Sequence, residues 1–137
     1  MIDKNTFTKD AYSWELKQTG KYFLDKEIYL TVDTITDSEE TLKDIFAEQI
    51  ETLNLILPHW ETLSQAIEEA VLKYENISKV ELIQVADQPH IWLGMDYDTK
   101  RPWANHKWSF VLGVTESEDF AWHTEFEGLN LTETWAG

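Results

Sequence analysis

The sequence predicts a single α+β domain in which an antiparallel sheet, mainly a meander, carries a helical hairpin on one face. Two changes in the spacing of apolar residues predict it: alternation near the N-terminus gives way to helical spacing and then returns. No helix-length segment separates the later strands, so we expect them to be antiparallel neighbours. The predicted order is β-β-α-α-β-β-β-β over residues 1–137, without a repeat or linker that would divide the chain.

Two strands are predicted before the helices. Apolar and polar residues alternate over 12–16 and again over 28–32, which is typical of strands with one buried face. Thr19-Gly20 lies between these segments and indicates a turn. The first two strands are therefore expected to precede any helix.

The helical pair is predicted over about 38–57 and 59–75. Asp37 and Glu40 have the spacing of a capping box, which marks a helix start. Apolar residues then recur at helical spacing on one stripe, with charged residues away from it. Pro58 lacks an amide donor and breaks or kinks a helix, so the two segments form either a hairpin or one kinked unit.

The remaining strands follow from the return to alternation after Tyr74. The first of them is predicted to begin at Val80 and Leu82, and the next two run over 91–97 and 108–114. The fourth includes Phe120, Trp122 and Phe126, and Leu129 and Leu131 mark the start of a fifth. The ten residues from Asp98 to Lys107 then form a loop stiffened by Pro102.

The net charge of −15 is concentrated in two segments. Residues 33–75 carry eleven acids against two lysines, and residues 116–137 carry six acids and no lysine or arginine. Such a surface repels nucleic acid and attracts basic partners, although solubility alone is the simpler explanation. The chain has no cysteine, which excludes disulfides and thiolate sites. No apolar run is long enough for a membrane span and no leader is seen, so a cytoplasmic protein without a membrane partner is expected.

The stretch MDYDTKRPWANHKWSF, residues 95–110, combines acids, bases and aromatic residues. Metal binding by Asp96, Asp98 and His106 is disfavoured, because His106 has no ligand at helical or strand spacing. The stretch is instead predicted to be a recognition loop that acts beside an acidic helix face, with no metal and no cofactor. The predicted partner-binding residues are Glu40, Asp44, Glu48, Glu51, Asp96, Asp98, Arg101 and Trp103.

Two other function classes stay open. Tryptophans away from the core face, such as Trp92 and Trp103, suit a carbohydrate- or small-ligand-binding domain, because an indole ring stacks on a sugar face. A hydrolase with an inconspicuous site is the second alternative, since His123 and Glu125 share a strand face. No nucleophile elbow, phosphate loop or zinc-protease motif occurs, so a non-enzymatic function is expected and no catalytic residue is assigned.

A pattern spanning most of the chain joins GKYFLDKEIYLTVDT, the acidic helical block SEETLKDIFAEQIETLNLILPHWETLSQAIEEAVLKY and the aromatic segment FAWHTEFEGLNLTETWAG. This pattern resembles small bacterial domains of unknown function, several of which are inferred to be immunity proteins of polymorphic or contact-dependent toxin systems. The resemblance implies a cytoplasmic, non-enzymatic protein that neutralises a basic toxin by direct contact. It has no diagnostic motif, so no functional residue is carried over.

Overall fold

The computed structural model describes residues 1–36 and 41–137, and it shows an α+β fold in which a long helical unit packs on a mainly antiparallel sheet. The strands are β1 (Thr8–Lys9), β2 (Trp14–Leu16), β3 (Tyr22–Phe23), β4 (Lys26–Glu27), β5 (Tyr29–Val32), β6 (Ala86–Leu93), β7 (Met95–Asp96), β8 (Arg101–Pro102), β9 (Lys107–Val114), β10 (Ser117–Glu127) and β11 (Asn130–Ala136). The helices are α1 (Ala47–Ile56), α2 (Trp60–Glu75) and α3 (Lys79–Val85). The predicted fold class is confirmed.

The main sheet has seven strands in the order β1-β2-β5-β6-β9-β10-β11. Its neighbours are antiparallel except for β5 and β6, which pair in parallel because the chain crosses through the helices between them. From β6 to β11 the sheet is the predicted meander, interrupted by the small ribbon of β7 and β8. A second ribbon, of β3 and β4, lies outside the main sheet.

The helical pair is continuous. Leu57–His59 forms one 3-10 turn that connects α1 to α2 without a loop, and Pro58 lies inside this turn. The predicted hairpin is therefore wrong, and the structure has one continuous helical unit instead.

The first helix begins later than predicted. The proposed capping residues, Asp37 and Glu40, lie outside the described residues, and the described residues 41–46 are not helical. The Lys43 carbonyl accepts hydrogen bonds from the Trp14 indole N–H and the Thr34 hydroxyl, both at 2.7 Å. These bonds tie the segment to the strands, and a helix starts only at Ala47.

The strand predicted at Val80 and Leu82 is wrong, because these residues lie in α3. Ser78 and Glu81 form a capping box: the Glu81 amide donates to the Ser78 hydroxyl at 3.2 Å, and the Ser78 amide donates to the Glu81 carboxylate at 3.3 Å. Leu82 is buried while Val80 is exposed. Val80 and Leu82 are two positions apart as in a strand, but they belong to a short helix in which only Leu82 is buried.

The hydrophobic core lies between the helices and one face of the main sheet. Leu53, Ile67 and Val71 from the helices and Ile91 and Phe110 from the sheet are completely buried. Aromatic pairs fill the layer, with Trp60 at 5.5 Å from Phe110 and Trp108 stacked at 4.3 Å on Phe126. Among the helices of the described ranges, none combines the length and the apolar composition needed to cross a membrane.

Candidate functional site

Three of the acidic residues predicted on the helix face are exposed, namely Asp44 just before α1 and Glu48 and Glu51 within it. Glu40 lies outside the described residues. Lys4 approaches Asp44 to 4.0 Å, but both side chains are exposed and such a pair contributes little. The residues just before α1 and the N-terminal half of α1 therefore present carboxylates to solvent.

Side-chain contacts join the loop of residues 98–107 to this helix. The Arg101 guanidinium donates to the Glu48 carboxylate and lies 4.9 Å from the centre of the Phe46 ring. The Thr52 hydroxyl is 2.9 Å from Nδ1 of His106, at the other end of the loop. Helix and loop consequently form one surface, here named the α1–loop surface. Its members are Asp44, Glu48, Glu51, Asp96, Asp98 and Arg101.

Asp96 has a local structural role within that surface. Its Oδ1 accepts hydrogen bonds from the amides of Asp98 at 2.8 Å and Thr99 at 3.2 Å, which closes a turn after β7. The Asp98 side chain is exposed beside it. In the described part of the chain, no three His, Asp or Glu side chains come together as a group that could hold a metal.

Trp103, which the sequence pattern places away from the core face, is half-buried. It packs edge-on against Trp92, with ring centres 4.8 Å apart and planes at 77°. Its ring also covers Gly94, where a Cβ atom would come within 2.4 Å of Cζ2. The missing side chain at Gly94 makes this close approach possible.

The face of the sheet opposite the helices, here named the outer face, collects residues that sequence reasoning did not bring together. One row across neighbouring strands, in register, contains Thr31, Trp92, Ser109, Glu125 and Glu133. The next row contains Tyr29, His90, Val111, His123 and Trp135. These pairs depend on the parallel β5–β6 register and on bulges, so alternation alone could not reveal them.

Glu125 is the most deeply buried acid of the outer face, with a relative exposure of 8%. The Ser109 hydroxyl lies 2.7 Å and 2.6 Å from its two oxygens but has one proton to donate. The Trp135 indole N–H is a longer contact, at 3.4 Å. The predicted partner His123 instead stacks on Trp135, with ring centres 3.9 Å apart.

Asp33 anchors the other side of Trp92. The indole N–H of Trp92 donates to Oδ2 of Asp33 at 2.7 Å, which fixes the ring on the outer face. Burial raises the pKa of Asp33, and this hydrogen bond to the carboxylate partly opposes the rise. Trp92 is thereby held between Asp33 and Trp103.

His90 occupies the second row and stacks on Tyr29, with ring centres 4.5 Å apart and planes at 12°. Burial lowers the pKa of His90, the Gln88 carbonyl at 2.9 Å from Nδ1 opposes this, and the nearby His123 lowers the pKa further. Burial also raises the pKa of Tyr29, with Glu15 and Asp87 adding to the rise. The lowered pKa of His90 therefore favours the neutral form of its imidazole in the native protein.

This lowered pKa predicts a pH-dependent stability. The unfolded chain binds a proton at His90 at higher pH than the native protein does, so stability falls as pH drops below about 6.5. When the pH is lowered from about 7.5 to about 5.5, we expect the melting temperature of His90→Gln to fall less than that of the wild type. His59→Gln, at an exposed histidine, is the matched control. An equal or steeper loss in His90→Gln would contradict the assignment.

Comparison of the chain with protein-family models, with curated proteins and with solved structures found no match.

Proposed function

We propose that this protein is a binding module for a basic protein partner and that the α1–loop surface is where the partner docks. The observation that carries the proposal is the contact of Arg101 with Glu48, which joins the acidic start of α1 to the loop. The surface holds five carboxylates, and all five side chains are exposed. A partner with Lys and Arg side chains complements it.

The charge distribution of the chain supports the same function. Residues 33–75, which include α1 and α2, carry eleven acids against two lysines. Complementary fields steer diffusing partners together and accelerate association by about 10-fold to 1,000-fold, an effect that salt suppresses. Within α1, Glu48 and Glu51 are three residues apart, and like charges at this spacing destabilise a helix slightly. Attraction of a basic protein gives this arrangement a use.

The specific form we propose is neutralisation of a toxin by direct contact. The resemblance to immunity proteins supports it, and so does charge, since a toxin that acts on nucleic acid must present a cationic cleft. An acidic protein that covers such a cleft blocks access of the phosphate backbone. The protein then acts by binding alone and needs no catalytic step.

A capture experiment with charge-reversed variants tests the docking surface. Glu51→Lys/Asp98→Lys alters the α1–loop surface and leaves the Glu48–Arg101 contact intact. Glu61→Lys/Glu69→Lys is the matched control, with the same change of charge at exposed positions of α2. From lysate of the source cell, we expect the wild type and the control to retain a basic protein that the first variant loses.

Mass spectrometry identifies the retained protein, and addition of the wild-type chain should then inhibit its activity. Equal retention by both variants would refute docking on the α1–loop surface. Retained proteins without an excess of Lys and Arg would refute the electrostatic basis of the proposal.

A further inference from the structure

A cleft of about 320 Å³ opens on the outer face of the sheet, beside the recognition loop. Its walls are indole rings and its remaining lining is mostly carboxylate. The lining residues are Trp92, Trp103, Lys107, Glu125, Glu127, Thr132, Glu133 and Trp135. Trp103 belongs to the same loop as Arg101, so the cleft borders the loop that contributes to the α1–loop surface.

The carboxylates that line this cleft outnumber its cationic side chains. Glu125 is 8% exposed, and its one close donor in the described part of the chain is the hydroxyl of Ser109. Glu133 lies directly opposite Glu125 in the register of β10 and β11. Like charges at opposed positions destabilise a sheet, and burying a charge without a charged partner is unfavourable. Both costs fall when a cation enters between the two side chains.

The aromatic walls favour the same kind of ligand. The ammonium of Lys107 lies 5.1 Å from the centre of the Trp103 ring, so this indole face already accepts a cation from the chain itself. Against this single ammonium the cleft has three carboxylates, Glu125, Glu127 and Glu133. Ionised carboxylates accept hydrogen bonds and attract positive charge, so they favour a cationic donor over a neutral hydroxyl.

We infer that the cleft binds one cationic side chain, a lysine ammonium or an arginine guanidinium, from the basic partner. The inference rests on the proposed function for the source of that side chain. An alkyl stem lies against the indole rings while the charged end donates hydrogen bonds to Glu125 and Glu133. The cleft then supplies a buried anchor beside a surface that acts mainly through long-range charge.

Small probes test the cleft without the partner. We choose N-acetyl-lysine methylamide and N-acetyl-arginine methylamide, with the uncharged N-acetyl-norleucine methylamide as the matched control. The indole N–H resonances of Trp103 and Trp135, assigned from Trp→Phe variants, report binding by NMR. We expect saturable shifts with the two cationic probes and none with norleucine, and at least a tenfold weaker affinity in Glu125→Gln.

Two further variants separate the cleft from a folding defect and from the docking surface. Glu133→Gln changes an exposed residue and should also weaken binding of the lysine probe. Glu51→Gln, on α1, should leave it unchanged, so failure of the α1–loop surface in the capture experiment and failure of the cleft are distinguishable.

The proposal is overturned if norleucine shifts the indole resonances as much as lysine does. It is also overturned if both glutamine variants at Glu125 and Glu133 bind the cationic probes as the wild type does. Cellobiose or maltose that shifts these indoles while the cations do not would identify a carbohydrate site instead.

Discussion

Trp108→Ala should reduce the free energy of unfolding by about 3–5 kcal/mol, the largest stability loss expected for a single substitution considered in this protein. Trp108 is 0% exposed and stacks on Phe126 with ring planes at 9°. Its indole N–H donates to the Gly128 carbonyl at 2.7 Å, at the turn between β10 and β11. Truncation to alanine leaves a cavity and removes the donor from that carbonyl.

Urea denaturation followed by circular dichroism measures this loss. Trp135→Ala, at a tryptophan that is 40% exposed, is the matched control and should cost much less. Trp108→Phe retains an aromatic ring but no N–H donor and should fall between the two. Equal losses for Trp108→Ala and Trp135→Ala would contradict the placement of Trp108 in the core.

Gly94→Ala should cost about 1–3 kcal/mol and displace Trp103 from Trp92. The new Cβ would lie 2.4 Å from Cζ2 and 2.7 Å from Cη2 of Trp103, which is closer than non-bonded carbon atoms can approach. The indole ring must therefore move, and its edge-on contact with Trp92 is lost. A changed near-ultraviolet circular dichroism spectrum and a lower melting temperature should accompany the loss of stability.

A double-mutant cycle isolates this clash from effects on the backbone. In a Trp103→Ala background the space over Gly94 is empty, so Gly94→Ala should be nearly neutral there. The same cost in both backgrounds would show that Trp103 does not limit the substitution. The cycle thus tests the position of a ring that lines the cleft.

The long segments with regularly spaced apolar residues predicted the fold well. The stripe over 59–75 became α2, and alternation over 108–114 and through Phe126 became β9 and β10. Short segments were harder, because tertiary contacts decided them. The bonds that Trp14 and Thr34 donate to the Lys43 carbonyl keep 41–46 out of the helix, and a residue pattern cannot show them. The start of α3 was readable, since Ser78 and Glu81 have capping-box spacing.

The candidate site was predictable only in part. Exposed acids at Glu48 and Glu51 followed from helical spacing, and the loop followed from the strands that flank it. The contact of Arg101 with Glu48 spans 53 residues and has no local signal. The cleft depends on which strands are neighbours, because Ser109, Glu125 and Glu133 meet only through the β9–β10–β11 register. Gly94, a glycine within a predicted strand, was the one indication in the sequence that another group packs closely beside the cleft.

Electrostatic docking on the α1–loop surface is tested most directly by the association rate of the captured partner at two ionic strengths. At about 0.01 M and about 1 M salt the screening length is roughly 30 Å and 3 Å. We predict that the wild type associates faster at low salt than Glu51→Lys/Asp98→Lys and that the two rates converge at high salt. A wild-type rate that is independent of salt, or equal to that of the variant at both ionic strengths, would contradict the proposed function.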